Sequence, residues 1–486
     1  MSSEPRHLHP AAMLIGAIKT IRRSLSAFVI PGAAFLMSRG FDPGTIVLVL
    51  LGALVVAVLA AFWGFLSWRA TTYEVAGGAF RLRQGVLQKN ERTIPLDHVQ
   101  SLDTVQGIIL RLFGVVEVRI ETAGGGASEP DASLQALERP SAEALRREIE
   151  GSRRKRAEEE AAGPTIVRDL RTRDLLVAGT TSGQIGVALS LIAVASQLFD
   201  NVFSQSLAQR LVETLAPRSV TIALLYVLVL GLLAWLLAIG GTVLAYTGFT
   251  LSRAGDFLYI RRGLLERREA TIPLARIQAI RIVEGLLRQP FGLASLRVES
   301  AGYGEDAGVS TALFPLLPRK EVQALLLDAV PEFAVAPTLN ALPRRALRRY
   351  VLRSTVPILF LLAAAGFVSL LAFGFVAWGL AALLLPLPAA LYGWLRYRDA
   401  GWALEDDRLV VRSRLLTRTT AIAPRRRLQS RATARSPFQR RVRLATFQAR
   451  VASGVGGAGL QVTDLGSDAA DNLVYDLRPG ARRAEW

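Results

Sequence analysis

Three histidines, His7, His9 and His98, and no cysteine are what this chain of 486 residues offers to nucleophilic or soft-metal chemistry. No His-x-x-x-His spacing occurs, so a zinc or di-iron site is not expected. Neither a G-x-S-x-G elbow nor a P-loop is present. The stretch GVGGAG, Gly454 to Gly459, has dinucleotide-loop spacing, but it leads into the strand-like LQVTDLG, where a phosphate cradle needs a helix N-terminus. It reads as a hairpin turn. No catalytic set, cofactor or metal is expected, and the chain reads as a non-enzyme.

Arginine is the residue that accumulates. Between Arg408 and Thr463 there are 13 arginines and no acid. The window Arg69 to Pro140 carries a net charge of −1, Tyr246 to Val330 +2 and Arg396 to Trp486 +9, within a total of +18. Such a stripe points to a polyanion partner. An anionic membrane surface, which attracts each nearby arginine by about 1 kcal/mol, is a simpler partner than nucleic acid. Candidate headgroup contacts are Arg425, Arg426, Arg427, Arg440, Arg441 and Arg443; the alternative is that they only continue a topological bias. Arg119 with Glu121, and Arg297 with Glu299, lie two apart on strands and share a face. They are either exposed charge pairs worth little or a docking patch for a protein partner.

The elements that position these residues begin with charge-free runs: Pro43 to Trp68, Leu175 to Phe199, Ser219 to Ser252, and Ser354 to Leu395. A bilayer core of about 30 Å needs roughly 20 apolar residues in a helix. The first three runs can each span once, and the last, turning near Phe373 and Gly374, twice. A shorter run, Ser24 to Ser38, has flanking arginines that can snorkel, which brings the expected number to six spans in three hairpins. It lacks the A-x-A site of a signal peptide, and flanking Trp and Arg speak against a soluble core. Of 58 Lys and Arg, the short hairpin loops hold only Arg39, Arg210 and Arg218. The positive-inside rule then places both termini and all polar modules in the cytosol.

The segment TIPLDHVQSLDTVQG, residues 93 to 107, returns 178 positions later as TIPLARIQAIRIVEG. Setting Gly85 on Gly263 aligns 40 residues without a gap, and a third, worn copy follows at a further shift of 151. The recurring positions are Ile94, Pro95, Leu96, Gln100 and Gly114, then Ile272, Pro273, Leu274, Gln278 and Gly292, with Pro424 and Gln429 in the third copy. In that copy Arg443 stands where the others have Gly, and Arg450 where they have Glu. Pro fits a strand end, and the glutamines are expected to satisfy backbone groups.

Each module alternates apolar and polar residues as strands do, with Gly77 and Gly78 at a two-residue turn. GIILRLFG and GLLRQPFG read as helical turns, and an amphipathic helix follows the last strand. Ser141 is the expected cap in the first copy, and NLVYDLRPGARRAEW the shortened helix in the third.

The order of two spans, then G-[VL]-L, I-P-L-x-x-[VI]-Q, F-G-[VL] and [VI]-E-[TS]-A-G, resembles the bacterial pleckstrin-homology family with membrane-flanked domains, the YdbS/YdbT-like proteins. The resemblance covers nearly the whole chain and implies PH-like folds on the cytoplasmic side of a bacterial membrane. It implies no reaction. The expected fold class is a polytopic α-helical membrane protein with α+β modules: three PH-like β-barrels, each closed by a C-terminal helix. Residues 1–68 form the N-terminal segment and first hairpin, 69–150 the first PH-like domain, and 151–174 a charged linker. The second hairpin is 175–245, the second domain 246–333, a linker 334–350, the third hairpin 351–395 and the degenerate third domain 396–486. The expected function is a scaffold in the cytoplasmic membrane, holding anionic lipid, protein partners or a second copy of itself, in envelope maintenance or stress tolerance. The alternative is a lipid or solute transporter, against which stands the lack of ionisable residues within the runs.

Overall fold

The computed structural model describes residues 6–18, 43–86, 88–96, 99–122, 132–154, 165–181, 220–300, 312–373, 384–452 and 459–478. The chain divides into two compact units, Met1–Pro273 and Leu274–Trp486, so the boundary cuts through the second repeat.

In the first unit a short strand β1 (Arg6–His7) precedes α1 (Pro43–Ala70), after which come β2 (Thr72–Ala76), β3 (Ala79–Gln84) and β4 (Asn90–Pro95). These four make one sheet in the order β1-β2-β3-β4. Next are β5 (Val99–Gln106), α2 (Ile108–Leu112), β6 (Val115–Thr122), β7 (Ala132–Glu138) and the amphipathic α3 (Arg139–Arg154). Then β8 (Thr165–Asp169), α4 (Thr172–Thr180) and α5 (Val220–Tyr246) lead to β9 (Thr250–Ala254), β10 (Phe257–Arg262) and β11 (Arg267–Pro273).

The first repeat buries one core between its two half-sheets: Phe80, Leu82 and Ile94 come from the first half, and Val118, Ile120 and Leu134 from the second. The half-sheets do not close into a barrel. Instead β5 pairs antiparallel with β11 of the next repeat, giving a seven-stranded sheet in the order β7-β6-β5-β11-β10-β9-β8. The expected closed barrel is therefore corrected: β5 of the first repeat finds its partner in β11 of the second, which satisfies the ladder groups an open edge leaves unpaired.

The second unit repeats the scheme. Its elements are β12 (Ile277–Glu284), β13 (Leu293–Ser300), β14 (Ala312–Pro318), α6 (Val322–Ala329), β15 (Asn340–Ala341), α7 (Arg344–Phe373) and α8 (Pro386–Asp399). They are followed by β16 (Gly401–Glu405), β17 (Arg408–Arg414), β18 (Arg418–Pro424), β19 (Leu428–Ala434), α9 (Pro437–Arg441), β20 (Leu444–Val451), β21 (Gly459–Gly466) and α10 (Ser467–Asp476). Here β12 joins β18 across repeats, in the sheet β14-β13-β12-β18-β17-β16-β15, while β19-β20-β21 stand as their own sheet. Leu409, Val411 and Phe447 share the core of the third repeat. Two of the edge strands, β4 and β19, are not joined to another repeat and carry charges at Glu91, Arg92 and Arg431, as edges that must not recruit a further strand do.

Local chemistry explains the turns. Gly77 and Gly78 have φ of 60° and 75°, and in the third copy Asp406 and Asp407 take the same left-handed turn at 48° and 63°. GIILRLFG forms α2, whereas in GLLRQPFG Pro290 prevents a helix and the segment is a series of turns. Helix α3 starts at Arg139, ahead of the expected cap at Ser141, and α10 starts at Ser467, upstream of the expected NLVYDLRPGARRAEW.

Six spans are not supported. Among the described residues three helices are long and apolar enough to cross a membrane: Pro43–Ala70, Leu228–Tyr246 within α5, and Arg344–Gly366 within α7. The run Ser24 to Ser38 lies outside the described residues, as does Leu175 to Phe199 beyond Thr181, and residues 374–383. Where a partner helix is described, glycine marks the close approach. A Cβ on Gly179 of α4 would lie 2.9 Å from the Ile239 Cα, and one on Gly393 of α8 would lie 2.8 Å from the Tyr350 carbonyl oxygen. Small residues permit such backbone proximity.

Candidate functional site

The arginine stripe runs from β17 to β20 of the third repeat, with Arg425, Arg426 and Arg427 in a 3-10 turn between β18 and β19, and folding sorts its members into two sets. Seven find carboxylates that lie outside the acid-free window. Arg414 reaches Asp399 at 2.6 Å, and Arg418 holds both Glu284 and, at 3.7 Å, Asp399. Glu284, at 2% exposure, also takes Arg319 at 2.7 Å. This network pins β12 of the second repeat to β18 of the third, because Glu284 and Arg418 are register partners. Among these charges, burial lowers the pKa of Arg412, and its neighbours Arg319 and Arg418 add to the effect.

Three of the six expected headgroup contacts belong to the same structural set. Arg427 has an almost wholly buried side chain, bound to Glu332 at 2.6 Å, donating to the Ala275 carbonyl at 2.8 Å and resting on the Phe333 ring. Arg426 shares Glu332 at 2.7 Å, and Arg425 pairs with Asp407 at 3.4 Å. The Arg426 and Arg427 guanidiniums hold the third repeat to the segment before it, while Arg425 acts within the repeat. Arg440, Arg441 and Arg443 are different: exposed, consecutive with α9, and without an ion pair among the described residues.

Helix α9 exists because Ser436 and Gln439 form a reciprocal capping box and Pro437 starts the helix. Its Gln439 Nε2 donates to Asp464 at 2.7 Å. Asp464 is fully buried, with a left-handed φ of 58°, and receives Arg349 at 3.0 Å and Arg353 at 3.2 Å from α7. Tyr350 completes the contact by donating to the Thr463 carbonyl at 3.0 Å. The exposed arginines are thus held against the end of a helix of membrane-spanning length.

The expected docking pairs are not paired as sequence spacing suggests. Arg119 binds Glu117 at 3.1 Å, and Glu299 binds Arg281 on β12; the Arg297 side chain is exposed. Glu121 contributes its backbone to β6 opposite Ser101. Of the repeat signature, Ile94, Leu96, Ile272 and Pro424 are buried, Pro95 is exposed at the end of β4, and Pro273 and Leu274 are half-buried. Gln278 donates to the Arg276 carbonyl at 3.0 Å; Gln100 and Gln429 lie in β5 and β19. Gly114 and Gly292 have φ of 67° and 61°, and Arg443 takes the same conformation at 51° without being glycine.

Sequence reasoning passed over Asp464, Arg349, Arg353, Glu284, Asp399 and Arg414. One signal was available for Arg414. It stands where the repeat frame has Gly85 and Gly263, whose φ of 109° and 104° leave no room for a Cβ, so an arginine there announces a changed turn.

Three repeats of half-sheet pairs, each introduced by apolar helices and ended by a helix, define a membrane protein built from PH-like modules. The chain belongs to the bacterial PH domain family, which matches it three times, over residues 24–153, 205–329 and 357–478. It is 33% identical over 490 residues to the UPF0699 transmembrane protein YdbT of Bacillus subtilis (strain 168), with 97% of each chain covered. No solved structure matches it.

Proposed function

We propose that this protein is a non-enzymatic scaffold of a bacterial cytoplasmic membrane, its PH-like modules on the cytosolic side and its third module held to anionic headgroups. The observation that carries the reading is the exposed trio Arg440, Arg441 and Arg443, without an ion pair among the described residues and fixed to α7 through Gln439 and Asp464. A cation cluster held at a membrane helix experiences the negative surface potential of the cytoplasmic leaflet. The crowding of arginine on the module side of the spans supports the orientation. Exposed Arg297 on the second module is free to serve a protein partner.

The test uses the full chain in nanodiscs of neutral lipid or of lipid containing phosphatidylglycerol, with energy transfer between a dye on the third module and the bilayer surface. Closer approach in anionic discs, reversed by salt and by Arg440→Glu with Arg441→Glu, supports the reading. An approach indifferent to lipid charge and to both substitutions rejects it.

A further inference from the structure

Large apolar side chains stand exposed at one end of each joined sheet, and in each unit they are bonded to the place where a charge-free run meets the modules. In the first unit, α2 presents Ile108, Ile109 and Leu112, the last 82% exposed, beside the β10–β11 loop with Leu264 and Leu265. Arg111 Nη2 on α2 donates to the Leu264 carbonyl at 3.0 Å. The Leu264 amide in turn donates to the Leu244 carbonyl at 2.9 Å, and that of Gly263 to Thr247 at 2.8 Å. Leu244 lies within α5 and inside the charge-free run that continues to Ser252. The loop is therefore fastened at the level where the apolar helix ends.

In the second unit Leu286, Leu287 and Phe291, the last 72% exposed, occupy the place of α2, and Leu415 and Leu416 that of Leu264 and Leu265. The register partnership of Glu284 with Arg418 puts these two groups at the same end of the sheet. Arg396, the first charge after the run ending at Leu395, donates through Nε to the Arg414 carbonyl at 3.1 Å, next to Leu415. Trp394, partly exposed beneath Arg398, marks the same level as aromatic belts do. On α9, Phe438 is 67% exposed beside Arg440, and Gln439 ties it through Asp464 to Arg353, the last charge before the run that starts at Ser354.

We infer that these tips insert into the bilayer at the boundary between headgroups and acyl chains, so that the joined sheets stand on the membrane rather than hang below it on their linkers. Burying apolar side chains there is favourable by the hydrophobic effect, and the neighbouring arginines remain in the headgroup layer. The apolar tips of the two joined sheets do not depend on lipid charge, so the inference stands apart from the electrostatic reading of the third module.

The chain contains no cysteine, so single substitutions Leu112→Cys, Leu265→Cys, Leu287→Cys and Leu416→Cys can carry a nitroxide in the full-length protein reconstituted into phosphatidylcholine vesicles. Asp256→Cys and Asp406→Cys are controls at the opposite ends of β10 and β17, roughly 17 to 20 Å away at about 3.4 Å per residue. The expected result is that oxygen, enriched in the acyl region, relaxes the four tip labels several-fold more effectively, relative to a water-soluble nickel chelate, than it relaxes the controls. This contrast persists at high salt. Tip labels as open to the chelate as the controls overturn the inference, even where the anionic-lipid response of the third module survives.

Discussion

Arg349 reaches Asp464 at 3.0 Å, from a helix that starts a membrane-length span to a carboxylate with no solvent exposure. The pair welds the last sheet of the third repeat to α7. Asp464 also accepts Gln439 and Arg353, so one side chain gathers a helix, a strand and the short α9.

Asp464→Asn keeps a residue that tolerates left-handed φ while removing the charge. Breaking a fully buried pair costs about 3–5 kcal/mol, and the partial exposure of Arg349 and Arg353 reduces this to about 2 kcal/mol. Thermal unfolding should show the third repeat destabilised, and limited proteolysis should cut between β20 and α10 earlier than in the parent.

Glu284→Ala is expected to loosen the joint between the second and third repeats. It leaves Arg319 and Arg418 without their shared carboxylate, at a cost of about 3 kcal/mol. Hydrogen exchange should quicken in β12 and β18 together and leave the β5–β11 joint unchanged.

Arg443→Gly should stabilise the third repeat by about 0.5–1 kcal/mol. A side chain at φ of 51° carries a steric cost of about 1–2 kcal/mol that glycine relieves, offset in part by the greater freedom glycine has when unfolded. The same variant should approach anionic nanodiscs less closely, so stability and lipid response move in opposite directions.

Gly393→Leu tests the close crossing of α7 and α8. Its Cβ would meet the Tyr350 carbonyl and the Val351 Cα, both at 2.8 Å, so the helices must part at a cost of about 1–3 kcal/mol. The parting should appear as a lower melting temperature and as slower cross-linking between cysteines placed on the two helices.

The sequence by itself determined what depends on neighbours along the chain. The threefold repeat, the alternation of strands, the turn at Gly77 and Gly78 and, among the described residues, three membrane-length apolar helices follow from local patterns, each taking the form its periodicity demands. Tertiary structure decided which edges meet. Nothing in the spacing of β5 distinguishes closure on its own half-sheet from pairing with β11, more than 160 residues away, because every edge strand offers the same backbone groups. The arginine stripe was legible as charge but not as surface. Glu284, Asp399 and Glu332 lie outside its window, and only the folded chain brings them to Arg418, Arg414 and Arg427, leaving Arg440, Arg441 and Arg443 exposed. Coulomb attraction and the cost of burying an unpaired charge act through space, and sequence distance does not enter them.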